Sequence, residues 1–194
     1  MTIQAQPIAT RAGEILDVAE RLVQTRGFNA FSYADIAAEL GVTKPALHYH
    51  FRTKEALGEA LIARYSERFF RELDQIATAD EAAPARVARY VELYRAVLLA
   101  NRMCLCGILA AEYQTLPSSM RSAVRGFFER NETWLANVLR QGVEHGEVTA
   151  SEPLEDAARL VIDTLEGAMM IARAHDGPER FDSASTRLIA GLLP

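Results

Sequence analysis

Apolar residues recur along this chain every three or four positions with charged and polar residues between them, the pattern of amphipathic helices. The first such stretch opens at Thr10, a residue type that caps helices, and stops at Gly27. No sustained alternation of apolar and polar residues indicates a strand. The sequence therefore predicts an all-α fold of about nine helices.

Caps and prolines divide the rest of the chain into shorter helical segments. Ser32 and Asp35 resemble a capping box, Gly41 can end the segment that they open, and Thr43 can cap the next one. The expected segments after the first are 32–41, a short one opened by Thr43, 53–76, 84–98, 104–113, 118–146, 153–172 and one between Asp182 and Leu193.

The segment that starts at Pro153 is apolar around more of its circumference than a one-sided surface helix. Leu160, Ile162, Met170 and Ile171 add to its main apolar stripe. Such a helix must be covered on two sides. We expect the second cover to be another subunit, in a homodimer formed through the last two helices; the alternative is a central helix of a monomer.

Residues 33–51, YADIAAELGVTKPALHYHF, carry the most specific signal. A short helix, a turn with Gly41 at its pivot and a second short helix describe a helix-turn-helix unit, whose second helix enters the DNA major groove. The outer face of that second helix presents polar, basic and aromatic side chains, namely Thr43, Lys44, Ala46, His48, Tyr49 and His50.

Charge changes the interpretation when it is resolved along the chain. The 194 residues carry a net charge of −5, which alone disfavours a nucleic-acid partner. The window from Gly41 to Lys54, however, has three basic residues and no acidic one, so it carries +3 and the remainder −8. A local positive surface is sufficient for contacts with DNA phosphates.

Other sequence features limit the location of the protein. The longest apolar run, Met103 to Ala111, is too short to span a membrane, and the first residues lack the pattern of a secretory signal. We therefore expect a cytoplasmic protein without a membrane partner. Two cysteines, Cys104 and Cys106, are too few for a disulfide framework.

The segment from Arg11 to Leu61 resembles the DNA-binding domain of TetR-family transcriptional regulators. The resemblance is strongest in GVTKPALHYHFRTKEAL, residues 41–57, and the later stretch CLCGILAAEYQTLP is similar to the sixth helix of many members. It implies a three-helix DNA-binding domain in residues 1–53 and a helical effector-binding and dimerisation domain in residues 54–194.

The resemblance also implies roles for single residues. Thr43, Lys44, Pro45 and Ala46 would lie at or near base edges, Tyr49 and His50 would contact the DNA backbone, and Lys54 would bind a phosphate. His48 stands where the family usually has tyrosine. Because imidazole gains charge near neutral pH, we expect operator affinity to rise as the pH falls from about 8 to about 6. A metal is not expected, since two histidines at i,i+2 point to different faces of a helix.

Aromatic and sulfur-containing residues of the larger domain are candidates for an effector pocket, because family members generally hold their inducer there. The candidates are Tyr90, Tyr94, Cys104, Tyr113, Phe128, Trp134 and Met169, although each of them can also be ordinary core packing. Cys104 and Cys106 cannot readily bridge each other at this spacing. They are either inert buried thiols or, as in some family members, sensors of electrophiles, which would require a thiolate and solvent access.

The sequence thus predicts a homodimeric, ligand-responsive repressor that needs no cofactor, binds a palindromic operator in double-stranded DNA and is released by a small-molecule inducer. An enzyme built on a helical bundle is the rival hypothesis, but phosphate-loop, metal-binding and nucleophile-elbow motifs are missing. A third hypothesis is an architectural DNA-binding protein without an effector, which predicts a body without a cavity.

Overall fold

The computed structural model describes residues 10–149, 153–175 and 177–192, and within these ranges the chain forms nine α-helices and no strand. The helices are α1 (Arg11–Arg26), α2 (Tyr33–Leu40), α3 (Lys44–His50), α4 (Lys54–Ala77), α5 (Ala83–Leu99), α6 (Leu105–Ala111), α7 (Ser118–Glu144), α8 (Leu154–Ala174) and α9 (Glu179–Ala190). The predicted all-α fold is confirmed.

Three of the nine described helices, α1, α2 and α4, begin at a side-chain cap that the sequence predicted. The Ser32 backbone N–H donates to Asp35 Oδ2 at 2.7 Å and the Ser32 hydroxyl accepts from the Ala34 N–H, which completes the predicted capping box of α2. The Thr53 hydroxyl caps α4 through the Ala56 N–H at 3.0 Å. Thr43 also lies at a cap position, but contrary to the prediction its side chain makes no capping hydrogen bond.

Two predicted helix boundaries differ from the structure. The expected helix at 104–113 is divided into α6 and a 3-10 turn, Tyr113–Thr115. The last helix begins at Glu179 and ends at Ala190, whereas its expected end at Leu193 lies outside the described residues. Both differences arise at helix ends, where periodicity carries the least information.

The first four helices share a core, in which Ile15, Leu22, Ile36, Leu47 and Leu57 are fully buried. An ion-pair network joins α1 to α4 at the edge of that core. Arg64 and Arg68 both bind the buried Glu20, at 3.0 and 2.5 Å. Because α4 packs against α1 and also against α7, the predicted domain boundary between residues 53 and 54 falls at the start of a helix that both halves share.

Hydrogen bonds from several residues join the C-terminal end of α1 and the following turn to the body of the molecule. Glu112, at the end of α6, accepts the Phe28 N–H at 2.6 Å. Arg173 of α8 donates to the carbonyl oxygens of Gln24 and Thr25. The position of the helix-turn-helix unit therefore depends on where α6 and α8 lie.

Helix α8 packs on α7 on one side and on α9 on another. Ile162 is buried in the core, whereas Leu160, Met170 and Ile171 are each about half exposed, at 53%, 52% and 46%. The two-sided apolar character of this helix thus divides into a buried stripe and an uncovered one. None of the described helices is long and apolar enough to cross a membrane.

Candidate nucleic-acid interface and effector site

Helix α3 presents most of its side chains outward and buries one of its own residues. Leu47 is buried to 1% exposure, while the DNA-binding candidates on this helix and at its cap are all exposed, namely Thr43, Lys44, Pro45, Ala46, His48, Tyr49 and His50. The exposed fraction of Tyr49 is 85%, so Tyr49 is not a core aromatic. An aromatic ring and several polar groups are therefore free to meet a ligand on this face.

Tyr33 of α2 holds the far end of α3 in place. Its hydroxyl donates to the carbonyl oxygens of Phe51 and Thr53, both at 2.8 Å, and its ring lies 4.6 Å from that of His48. Burial raises the pKa of Tyr33, so the hydroxyl remains a donor. This one side chain links α2, α3 and the start of α4.

The tautomer of His48 follows from its neighbour. Nδ1 lies 3.1 Å from the Arg52 carbonyl oxygen, and since a carbonyl only accepts, Nδ1 carries the proton. The other ring nitrogen, Nε2, is left for an external partner, and it becomes a donor when the imidazole is protonated.

Lys54, the predicted phosphate ligand, contacts the turn after α1. Its ammonium group donates to the Phe31 carbonyl oxygen and lies over the rings of Phe28 and Phe31, 4.7 and 4.3 Å from their centroids. Burial lowers its pKa, and Glu112 and Asp35 oppose that shift. In this structure Lys54 stabilises the turn after α1, and its contact with a phosphate stays a prediction.

The structure divides the seven predicted effector residues between two places. Tyr90, Tyr94, Cys104 and Met169 are buried in the body, where the hydroxyl oxygens of Tyr90 and Tyr94 are 3.1 Å apart. Trp134 joins them by stacking on Tyr90 with a centroid distance of 5.6 Å.

Tyr113 and Phe128 lie elsewhere, in a surface groove between α6, α7 and α8. Arg125, which lines the same groove, donates to the Tyr113 hydroxyl at 2.9 Å. The predicted effector residues therefore do not form one pocket: five lie together in the body, and Tyr113 and Phe128 line a groove at the surface.

Sequence reasoning missed polar residues beside the buried group. Asn131 donates to the Tyr94 hydroxyl at 3.3 Å, and the Tyr65 hydroxyl donates to Cys104 Sγ at 3.6 Å. Together they form what we call the interior polar cluster: Tyr65, Tyr90, Tyr94, Cys104, Asn131 and Glu166.

Glu166 is the acidic member of the interior polar cluster. Burial raises its pKa to about 7, and a hydrogen bond with Cys104 opposes the shift. A Cβ atom placed on Gly107 would lie 2.1 Å from its Oε2, so the glycine of α6 makes room for the carboxyl group. The signal for Glu166 was present, because it follows Ile162 by four positions and precedes Met169 by three, on the buried stripe of α8.

The two cysteines are buried, with exposed fractions of 2% for Cys104 and 0% for Cys106. Burial, followed by the nearby Glu166, raises the pKa of both thiols well above the usual value. Both therefore remain protonated at neutral pH. No group of three or more His, Cys, Asp and Glu side chains in the described ranges is arranged to hold a metal ion.

Comparison with known proteins covers both halves of this fold. Residues 15–61 match the bacterial regulatory proteins of the tetR family, and residues 83–188 match the tetracyclin repressor-like C-terminal domain. The transcriptional regulator AcuR of Cereibacter sphaeroides is 28% identical over 162 residues, which cover 81% of this chain and 74% of the relative. The HTH-type transcriptional repressor DhaR of Mycobacterium sp. (strain GP1) is 25% identical over 173 residues, with coverages of 87% and 85%.

Solved structures give the same result. A TetR transcriptional regulator from Legionella pneumophila superposes with a TM-score of 0.89 at 28% identity, covering 96% of this chain and all of the other. A TetR-family regulator from Agrobacterium tumefaciens gives 0.91 at 26% identity, with coverages of 94% and 97%. With both domains matched and the outer face of α3 exposed as a DNA-reading helix requires, the chain belongs to the TetR family of transcriptional regulators.

Proposed function

We propose that the protein is a cytoplasmic, ligand-responsive repressor that binds a palindromic operator as a homodimer. The observation that carries the proposal is α3, a seven-residue helix held by Leu47 and Tyr33 with its outer side chains exposed, in a window of net charge +3. A helix of this kind places polar side chains at base edges while nearby positive charge attracts phosphates.

The uncovered stripe of α8 supports the dimeric part of the proposal. Ile171 lies beside a groove between α8 and α9 that also contains the small residues Gly167, Ala168 and Ala184. A Cβ atom added at Gly167 would meet nothing within 4 Å, so another helix has room to approach. Two copies packed through this face would form a four-helix bundle and cover Leu160 and Met170.

The effector would act by biasing the placement of the two α3 helices. Support comes from the contacts that end α1, because Glu112 belongs to the end of α6 and Arg173 to α8. A shift of either helix changes the position of the helix-turn-helix unit. In a dimer this changes the spacing of the two half-sites that the protein can bind.

Operator binding is tested by selecting bound fragments from the source genome and measuring affinity for the recovered site. Tyr49→Ala removes a donor to DNA, and hydrogen bonds to charged groups contribute about 1.5–3 kcal/mol, so affinity should fall about tenfold or more. Arg71→Ala, an exposed arginine of α4, is the matched control and should bind like wild type. Equal binding by Tyr49→Ala and wild type would contradict the assignment of α3.

The dimer face is tested by sedimentation velocity. Ile171→Glu places a charge on the uncovered stripe and should give a monomer. Leu99→Glu, at an exposed position at the end of α5, is the matched control and should leave the dimer intact. An Ile171→Glu variant that remains dimeric would contradict an interface through α8.

Thermal-shift screening of small molecules separates a ligand-responsive regulator from an architectural protein, since only the former has an effector that stabilises the native state.

A further inference from the structure

The interior polar cluster and its neighbour Trp134 contain buried polar atoms without hydrogen-bond partners. In the described part of the chain five buried side-chain atoms are in this state, and three of them are here: Asn131 Oδ1, Trp134 Nε1 and Glu166 Oε1. Buried polar groups in native proteins are almost always paired, so a concentration of unpaired ones requires an explanation. A ligand that pairs with them would supply one.

The unpaired atoms define the chemistry of that ligand. Asn131 Oδ1 and Glu166 Oε1 are acceptors, and one of them belongs to an ionisable carboxyl group. Two acceptors and one donor favour a ligand that mainly donates hydrogen bonds.

The charge of Glu166 is not matched by a cation in the described ranges, where it forms no ion pair. The titratable groups that interact with it lie on α4, α5 and α6 and at the residue preceding α6. They are tyrosines and cysteines, which never carry a positive charge: Tyr65, Tyr90, Tyr94, Cys104 and Cys106. A positively charged ligand would therefore supply the counter-ion that the described part of the protein does not provide for this carboxylate.

Aromatic faces surround the same place. The ring of Phe69 lies 6.2 Å from Tyr90 and 6.1 Å from Tyr94, and Trp134 stacks on Tyr90. Aromatic faces attract cations and also accept apolar groups. Both the charged and the apolar part of an organic cation would have partners.

We infer that the effector is a small protonated amine, whose N–H groups bind Glu166 and Asn131 and whose apolar part packs against Tyr90 and Tyr94. This inference rests on the proposed ligand-responsive function and adds to it the chemical class of the ligand.

An approach to the cluster exists through Trp134. This side chain lines an open groove between α4 and α7, together with Phe70, Asp74 and Glu129, and its ring stacks on Tyr90. Rotation of the indole would connect the groove to the tyrosines. The groove is also lined by Arg130, so its two carboxylates exceed its positive charge by one, which favours the approach of a cation.

Glu166 also lies where ligand binding would act on the DNA-binding unit. Its carboxyl group packs on Gly107 of α6, and α6 leads to Glu112, which binds the turn after α1. Arg173, seven positions further along α8, binds the end of α1. If the Glu166 carboxylate turns toward an ammonium group, its contact with α6 weakens. A shift of α6 would then change the position of the turn after α1, and with it the position of α3.

Isothermal titration with paired probes tests the inference. Benzylamine, phenethylamine and cyclohexylamine are each compared with the alcohol of the same skeleton, and benzoate serves as an anionic probe. We expect at least one amine to bind about tenfold or more tightly than its alcohol, the difference of a charge-assisted hydrogen bond. Benzoate should be the weakest ligand. An amine series that binds no better than the alcohols would overturn the inference.

Variants locate the charge that recognises the amine. Glu166→Gln should abolish the preference for amine over alcohol, whereas Asp163→Asn, at an exposed position on the same helix, should retain it. A retained preference in a folded Glu166→Gln protein would overturn the assignment to Glu166. At pH 6, titrations in buffers of different ionisation enthalpy should show proton release by the wild type and none by Glu166→Gln.

Operator release is measured separately, so the two proposals can fail independently. Amine binding that depends on Glu166 but leaves the operator complex intact would support the cation site and contradict its role as the effector site. Operator release by a compound of another class, with no amine bound, would support the proposed function and overturn the amine inference.

Discussion

Replacing Glu166 with glutamine should change how the stability of the protein depends on pH. The pKa of this carboxyl rises from 4.5 to about 7 on folding because burial disfavours its charged form. Below the unfolded pKa the carboxyl is protonated in both states and has no effect. Between the two pKa values, 4.5 and about 7, only the unfolded state ionises, so the free energy of unfolding falls by about 3 kcal/mol across this range and is level above it.

The assay is urea unfolding at pH 5 and pH 8 at one protein concentration, because a dimer's stability depends on concentration. Glutamine keeps the shape of the side chain and cannot ionise, so Glu166→Gln should gain up to about 3 kcal/mol over wild type between pH 5 and pH 8. Ionisable groups other than residue 166 are common to both proteins, so their contributions cancel in this comparison. Asp163→Asn should follow wild type. The same pH dependence in Glu166→Gln and wild type would refute the burial argument.

Four further outcomes are expected. Tyr33→Phe removes the donor that serves two carbonyl oxygens and should lower the free energy of unfolding by about 1–2 kcal/mol, measured by urea titration. Glu112→Ala leaves the Phe28 N–H without its acceptor and should speed hydrogen exchange at that amide, while Glu112→Gln, which keeps an oxygen, should restore most of the protection. Operator affinity should rise from pH 8 to pH 6 in wild type, and the rise should be smaller in His48→Phe, which keeps the exposed His50 of α3. Cys104 and Cys106 should give no adduct with N-ethylmaleimide in the native protein, and two adducts in urea, by mass spectrometry.

Local sequence was enough to predict the helices and the exposed face of α3. The capping box at Ser32 and the cap at Thr53 depend on residues within three positions of each other, so a single sequence contains the whole interaction. The face of α3 could be predicted for the same reason, since one buried residue, Leu47, determines which side points outward.

The rest depends on contacts between distant residues. Lys54 has the charge that a phosphate contact needs, but Phe31, 23 positions earlier, provides its carbonyl and ring. Tyr94 and Tyr113 are chemically equivalent in the sequence, and only the packing of α5 and α7 buries the first and leaves the second in a groove. The partners of Glu166 lie on other helices, so its unpaired oxygen could not be predicted from the sequence.

The charged contacts that hold the end of α1 bind main-chain atoms. Glu112 accepts from the N–H of Phe28, and Arg173 donates to carbonyl oxygens. These hydrogen bonds therefore do not depend on the side chains of the DNA-binding unit. A side-chain constraint at this junction is Gly27, where φ is +94° and an added Cβ atom would lie 2.6 Å from Glu112 Oε1. Helices α1 to α3 of a relative should therefore dock on the same helical body if that relative keeps this glycine and the residues of α1 that pack on α4, such as Glu20, which makes the protein a suitable scaffold for hybrid regulators.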